Sequence, residues 1–201
     1  MTEWHFYEPA RGHGLAHDPL NAIVAPRPIG WISTVSADGR RNLAPYSFFN
    51  LLAYRPPILG FCSSGEKDSL ANARTRGEFV WNLATRDLAE AMNETSAPTD
   101  EDEFVRAGLA TLPSALVAPP RVALSPVQFE CRVTQIVQLQ DTAGAALPNW
   151  LVLGEAVAIH IDRAMLEDGV YRTERAHPIM RGGGPADYFE VGEKFAMTRP
   201  Q

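Results

Sequence analysis

The sequence predicts a mainly β domain, a closed or nearly closed antiparallel barrel with short helices set between its strands. Two observations carry this prediction. Val127–Leu139 and Trp150–Ile161 are long strand-like segments joined by a Gly/Ala/Pro loop. In the first of them Val127, Phe129, Cys131 and Val133 alternate with Gln128, Glu130 and Arg132, the period-two signature of a half-buried strand. Nearer the N-terminus, Ile29–Ser36 is β-branched and aromatic and runs into Ala37-Asp38-Gly39-Arg40, where Asp-Gly marks a hairpin turn. At 201 residues the chain is long enough for one substantial domain.

The remaining elements follow in order. Residues 1–25 are rich in Pro, Gly and His without sustained periodicity, so an arm packing over the body is expected. Pro26-Arg27-Pro28 stiffens the entry to the first strand, and a returning strand follows the hairpin into Asn42–Pro45. The stretch beyond, up to Pro56-Pro57, reads as a polar and aromatic loop, and Ile58–Cys62 as a short buried strand. Ser69–Arg76 is predicted helical, capped by Asp68 or Ser69 and ended by Gly77. Phe79–Ala84 is a further strand, and Leu88, Ala91 and Met92 have helical spacing within Asp87–Asn93. Acids in Thr99–Glu103 suit the start of another short helix. Leu116–Pro120 is linker-like, a short helix is expected near Met165, and Arg181-Gly182-Gly183-Gly184 opens a tail whose glycines predict a mobile loop.

Composition narrows the function. An apolar share of 45% with 21% charged residues is ordinary for a globular protein. The net charge of −6 argues against nucleic acid as the main partner. No run approaches a membrane span, and the N-terminus lacks the basic start and apolar core of a secretory signal, so a cytoplasmic protein that does not engage a membrane is expected. Cys62 and Cys131 each fall within a strand and read as reduced buried thiols. His13 and His17 lie four apart, but Gly12, Gly14 and Pro19 disfavour the helix that would pair them, and no metal site is expected. Charge is uneven: from Arg27 to Arg76 there are seven basic residues against three acidic ones. A local positive excess in an acidic chain suits a small anionic ligand.

The chemistry concentrates between Asn42 and Arg74. Ser63 and Ser64 lie between a strand and a helix, but Phe61-Cys62-Ser63-Ser64-Gly65 lacks the Gly-x-Ser-x-Gly nucleophile elbow, and no dinucleotide or triphosphate loop is present. What remains is phosphate capture. Lys67 offers a point charge, Ser69 a hydroxyl, and the first N–H groups of the following helix are free. The same Lys-Asp-Ser run is equally a solvated helix cap, with Asp68 capping or pairing with an arginine. Ser47 and Asn50 are either turn residues or donors to a ligand.

Arg27-Pro-Ile-Gly-Trp-Ile-Ser33, Asn42-Leu-Ala-Pro-Tyr-Ser-Phe-Phe-Asn50, Pro56-Pro57 and Lys67-Asp-Ser-Leu-Ala-Asn72 follow one another along the chain. Glu78-Phe-Val-Trp-Asn82, Asp102-Glu-Phe104, Glu130-Cys131 and Gly154-Glu155 continue the series. In this order the motifs resemble the flavin reductase-like family of FMN-binding split barrels. Ser69 stands where relatives often carry threonine, which keeps the hydroxyl.

The resemblance implies a six-stranded antiparallel Greek-key split barrel, a homodimer, and FMN near the dimer interface. By position, Asn50, Ser63, Ser64, Lys67, Asp68 and Ser69 would surround the phosphate and ribityl chain. Ala44, Pro45, Tyr46 and Ser47 would run along the isoalloxazine ring, with Trp31, Ser33 and Thr34 beneath or beside it. The Arg181–Tyr188 loop would lie close to the flavin. The implied activity is electron transfer from NADH or NADPH to bound or free flavin or a small acceptor, with a monooxygenase or electron-transfer protein as a further partner. A non-catalytic, flavoredoxin-like FMN carrier is the alternative. Because flavin carries the chemistry, the resemblance demands no protein acid or nucleophile.

Overall fold

A computed structural model describes residues 2–200. Its strands, in chain order, are β1 (Arg27–Pro28), β2 (Gly30–Val35), β3 (Arg41–Tyr46), β4 (Phe49–Tyr54), β5 (Pro57–Ser64), β6 (Glu78–Asn82), β7 (Thr111–Leu112), β8 (Arg121–Val122), β9 (Val127–Gln140), β10 (Ala146–Ile161), β11 (Leu166–Glu167), β12 (Val170–Tyr171), β13 (Ile179–Arg181) and β14 (Tyr188–Glu190). The helices are α1 (Leu20–Ile23), α2 (Asp68–Arg76), α3 (Ala89–Glu94) and α4 (Glu103–Arg106). Seven strands form the main antiparallel sheet in the order β3-β2-β6-β9-β10-β5-β4.

The two end strands of that sheet, β3 and β4, are consecutive in the chain, separated only by Ser47 and Phe48. The sheet therefore bends until its edges approach. The Tyr46 and Phe61 rings meet at 4.7 Å, and Phe49 stacks on Trp81 at 5.5 Å. Two places require glycine for this curvature. A Cβ on Gly30 would lie 2.7 Å from the Phe49 ring, and one on Gly154 would lie 2.3 Å from Phe79. Inside, Ile32, Leu59, Phe61, Phe79, Cys131 and Val152 form a core against Leu70 and Ala73 of α2. Burial drives the Cys131 thiol pKa well above its ordinary value, leaving it a small apolar core group.

The mainly β class agrees with the sequence pattern, but the strand count does not: seven strands, where six were expected. One strand lies where a loop was predicted. Phe49–Tyr54 lacks strict alternation and is exposed along most of its length, so its pattern is silent; pairing with β5 makes it a strand. Other differences are at element ends. Lys67, not Asp68 or Ser69, is the N-cap residue of α2, and its side chain makes no capping bond. Gly77 ends that helix, as predicted, and does so in the left-handed conformation. At α4 the acids do cap: the Asp102 carboxylate accepts from the amides of Phe104 and Val105. Residues 113–121 are less free than a linker, since Glu130 accepts from the Ala115 and Leu116 amides at 2.7 and 2.6 Å. The Gly182–Gly184 loop is close-packed. A Cβ on Gly183 would lie 2.2 Å from the Ala22 Cα, so this glycine allows close approach between α1 and the tail, while Gly182 and Gly184 make room for Asp187 within the loop. Among the described residues no helix is long and apolar enough to cross a membrane.

Candidate functional site

At the seam of the barrel lies a cleft of about 540 Å³, within the range of small-molecule sites. Three stretches line it. Asn42 and Ala44–Phe48 form one wall, Cys62, Ser64 and Glu66–Ser69 the second, and Thr95–Thr99 with Glu103 the third. The wall from β3 is an open sheet edge. Its Leu43 amide points off the sheet to Glu103 Oε2 at 3.2 Å. By the two-residue alternation of a strand Pro45 takes the next outward place, where it has no N–H to give. This blunts the edge against strand addition and leaves an apolar surface facing the cleft.

The second wall is where β5 turns into the nine-residue helix α2. Lys67 is exposed and forms no ion pair among the described residues. The first amides of α2 have no intrahelical partners, so a positive side chain and the positive end of a helix face the same space. Ser69 is buried and its Oγ accepts from Asn42 Nδ2 at 2.8 Å. Glu103 is also buried, and burial raises its carboxyl pKa above the ordinary range.

Of the residues singled out from the sequence, Ala44, Pro45, Tyr46, Ser47, Ser64, Lys67, Asp68 and Ser69 come together around this cleft. The others lie elsewhere. Trp31 is fully buried, with its indole Nε1 donating to Thr95 Oγ1 at 2.9 Å, so it supports the third wall from behind. Ser33 donates to the Pro120 carbonyl at 2.5 Å. Thr34 accepts from the side chains of Asn42 and Asn72 at 3.1 and 3.0 Å. Ser63, fully buried, donates to the Gly65 carbonyl at 2.9 Å and shapes the turn. Asn50 is exposed on β4, where its Oδ1 accepts from the Leu51 amide at 2.8 Å. Arg181 is engaged within its own loop, donating to the carbonyls of Asp187 and Pro185 at 2.7 and 3.0 Å and lying over the Tyr188 ring. Arg27 lies beside Phe48, its guanidinium 5.6 Å from the centre of that ring, and Arg74 pairs with Glu66 of the second wall.

Sequence reasoning missed the third wall. Thr95–Thr99 follows α3 and enters the cleft only because Thr95 is fixed both to Trp31 and to the Met92 carbonyl. The small and polar run Thr95-Ser96-Ala97-Pro98-Thr99, just past a helix end, was the available signal.

The fold and cleft define a split-barrel protein of the flavin reductase type. The chain belongs to the flavin reductase like domain family, whose model matches residues 24–180. A protein of Halalkalibacterium halodurans is 33% identical over 188 residues, covering 90% of this chain and 89% of that protein. Among solved structures, nitrilotriacetate monooxygenase component B from Bacillus cereus superposes with a TM-score of 0.82 at 30% identity, covering 89% of this chain and 90% of the other. The 2-nitrobenzoate 2-nitroreductase of Pseudomonas fluorescens gives 0.80 at 27% identity, with 90% and 88% covered.

Proposed function

We propose that this chain is an FMN-dependent oxidoreductase. It takes electrons from NADH or NADPH and passes them to bound or free flavin, to a small acceptor, or to a monooxygenase or electron-transfer partner. The observation that carries this reading is the polarity of the cleft. Its lining combines Lys67, hydroxyls and the free α2 amides with the apolar Pro45 and Phe48 surface. Of the acids in the same lining, Glu66 is paired with Arg74, while Asp68 and Glu103 leave an anion to be held chiefly by the lysine, amides and hydroxyls. A ligand with a dianionic tail and a flat aromatic head matches that combination. The residues fit FMN on an independent point: the buried Tyr46 hydroxyl, beside the cleft, has no hydrogen-bond partner.

Lys67 and the α2 amides neutralise the phosphate, with Ser64 and Ser69 adding hydroxyl contacts. Ala44–Ser47 orient the ring, and Pro45, Phe48 and Pro98 exclude water from its face. Trp31 holds the third wall through Thr95, Thr34 holds Asn42 of the first, and Ser63 shapes the turn that carries the second. Bound there, the flavin supplies the electron chemistry that no side chain of the cleft has to perform.

The chain works as a homodimer in this reading, supported by the apolar face of β4, where Leu51, Leu52 and Tyr54 are 47%, 54% and 73% exposed. The test is direct. Protein reconstituted with FMN should be yellow and should oxidise NADH or NADPH with free flavin or oxygen as acceptor. A colourless protein that cannot be reconstituted removes the flavin reading. Stable FMN without turnover makes the chain an electron carrier instead.

A further inference from the structure

Tyr46 has unfinished hydrogen bonding. Its ring packs on Phe61 in the barrel, only 7% of the residue is exposed, and its hydroxyl stands beside those of Ser63 and Ser69 where β5 gives way to α2. Neither serine meets it in hydrogen-bonding geometry, and the hydroxyl is one of two buried side-chain atoms without a partner among the described residues, the other being Arg27 Nε. A buried donor in this condition is costly, and such atoms are rare in folded proteins.

Its neighbours define what would satisfy it. Ser63 spends its proton on the Gly65 carbonyl. Ser69 Oγ accepts from Asn42 Nδ2, and Thr34 Oγ1 accepts from both Asn42 and Asn72. The Tyr46 hydroxyl thus has no partner in hydrogen-bonding geometry, and the Ser69 proton has no acceptor among the described residues. Asp68 and Glu103 are close enough to act on Tyr46 electrostatically, yet neither accepts from it; Glu103 Oε2 is taken by the Leu43 amide. Burial raises the phenol pKa and keeps the hydroxyl protonated, outweighing the nearby Ser69 and Ser63 hydroxyls, which pull it down, with Asp68 and Glu103 adding to the rise. A ribityl hydroxyl would bring its own proton into this crowd, whereas a phosphate oxygen brings only lone pairs.

We infer that the Tyr46 hydroxyl, together with that of Ser69, reads the terminal phosphate oxygens of the bound flavin, so that the chain selects FMN over riboflavin through neutral hydroxyl donors as well as through Lys67. This rests on the flavin reading above. It also divides Tyr46 between two tasks: its backbone belongs to the ring wall and its hydroxyl to the phosphate end.

Tyr46→Phe in the full chain tests this by fluorescence titration with FMN and with riboflavin, alongside thermal melting without ligand. The FMN Kd should rise roughly tenfold or more, the loss of a hydrogen bond to a charged group. The riboflavin Kd should stay unchanged, and the ligand-free Tm should hold or rise because an unpaired buried donor has gone. An unchanged FMN Kd, an equal loss for both flavins, or a fall of several degrees in ligand-free Tm overturns the inference. Wild-type protein that binds no FMN overturns the flavin reading itself, a separate result seen before any variant is made.

Discussion

At the residue scale the site depends on a few side chains whose chemistry the fold leaves unspent. Lys67 is one: exposed, unpaired among the described residues and placed at a helix start. Lys67→Ala should weaken FMN binding about tenfold or more while shifting the ligand-free Tm by no more than a degree or two, because an exposed lysine contributes little to the fold. Unchanged affinity would return it to the role of a solvated cap. Glu103 gives a pH test. Its folded pKa is raised by burial, so the stability it contributes is present at low pH and lost as pH rises through that value. Glu103→Gln keeps an oxygen for the Leu43 amide, and its melting temperature should exceed that of wild type at pH 8 by more than at pH 5. A constant gap would show that the carboxyl does not titrate in that window. Lys67 and Ser69 were legible in the sequence because a helix start has recognisable chemistry. Glu103 was legible only as a helix-start acid: its burial against β3 is a tertiary fact.

Elements place these residues, and here packing decides more than propensity. The long strands β9, with its alternation, and β10, and the Asp38-Gly39 hairpin, were readable from local pattern alone. β4 was not, since its strand character comes from β5 and most of its side chains face outward. The Thr95–Thr99 wall was equally hidden, because it reaches the cleft through a bond from an indole 64 positions earlier. Gly154→Ala tests the packing account. The added methyl would meet Phe79 inside a closed core, so a loss of about 1–3 kcal/mol in unfolding free energy is expected from denaturant melts. Arg181→Ala acts on the tail loop. Its guanidinium fastens the carbonyls of Pro185 and Asp187, so the variant should be cut faster by protease within 182–188 while FMN affinity changes less than turnover. Equal kinetics and equal cleavage would remove any role for this arginine.

Considered whole, the molecule presents a barrel with one apolar flank uncovered. If β4 forms the contact between two chains, wild-type protein elutes at twice the chain mass of 22.1 kDa. Leu51→Glu combined with Tyr54→Glu should return it to a single copy, and unchanged elution would place the contact elsewhere. Barrel class and family were legible because short motifs recur in order along most of the chain. Strand number was not, because the count depends on how far a sheet curls before its ends meet.

That meeting of ends has a consequence for how the protein breathes. β3 is hydrogen-bonded to a neighbouring strand on one side only, and the seam beside it is closed by side chains such as the Tyr46 and Phe61 rings. Backbone protons there should exchange with heavy water far sooner than those of β9 and β10, which are flanked on both sides. A ligand spanning from Ala44 to Ser69 would bind both lips of the seam at once. Loading the cleft would then slow exchange in β3 and at the start of α2, so that cofactor retention and barrel opening become one equilibrium read from two directions.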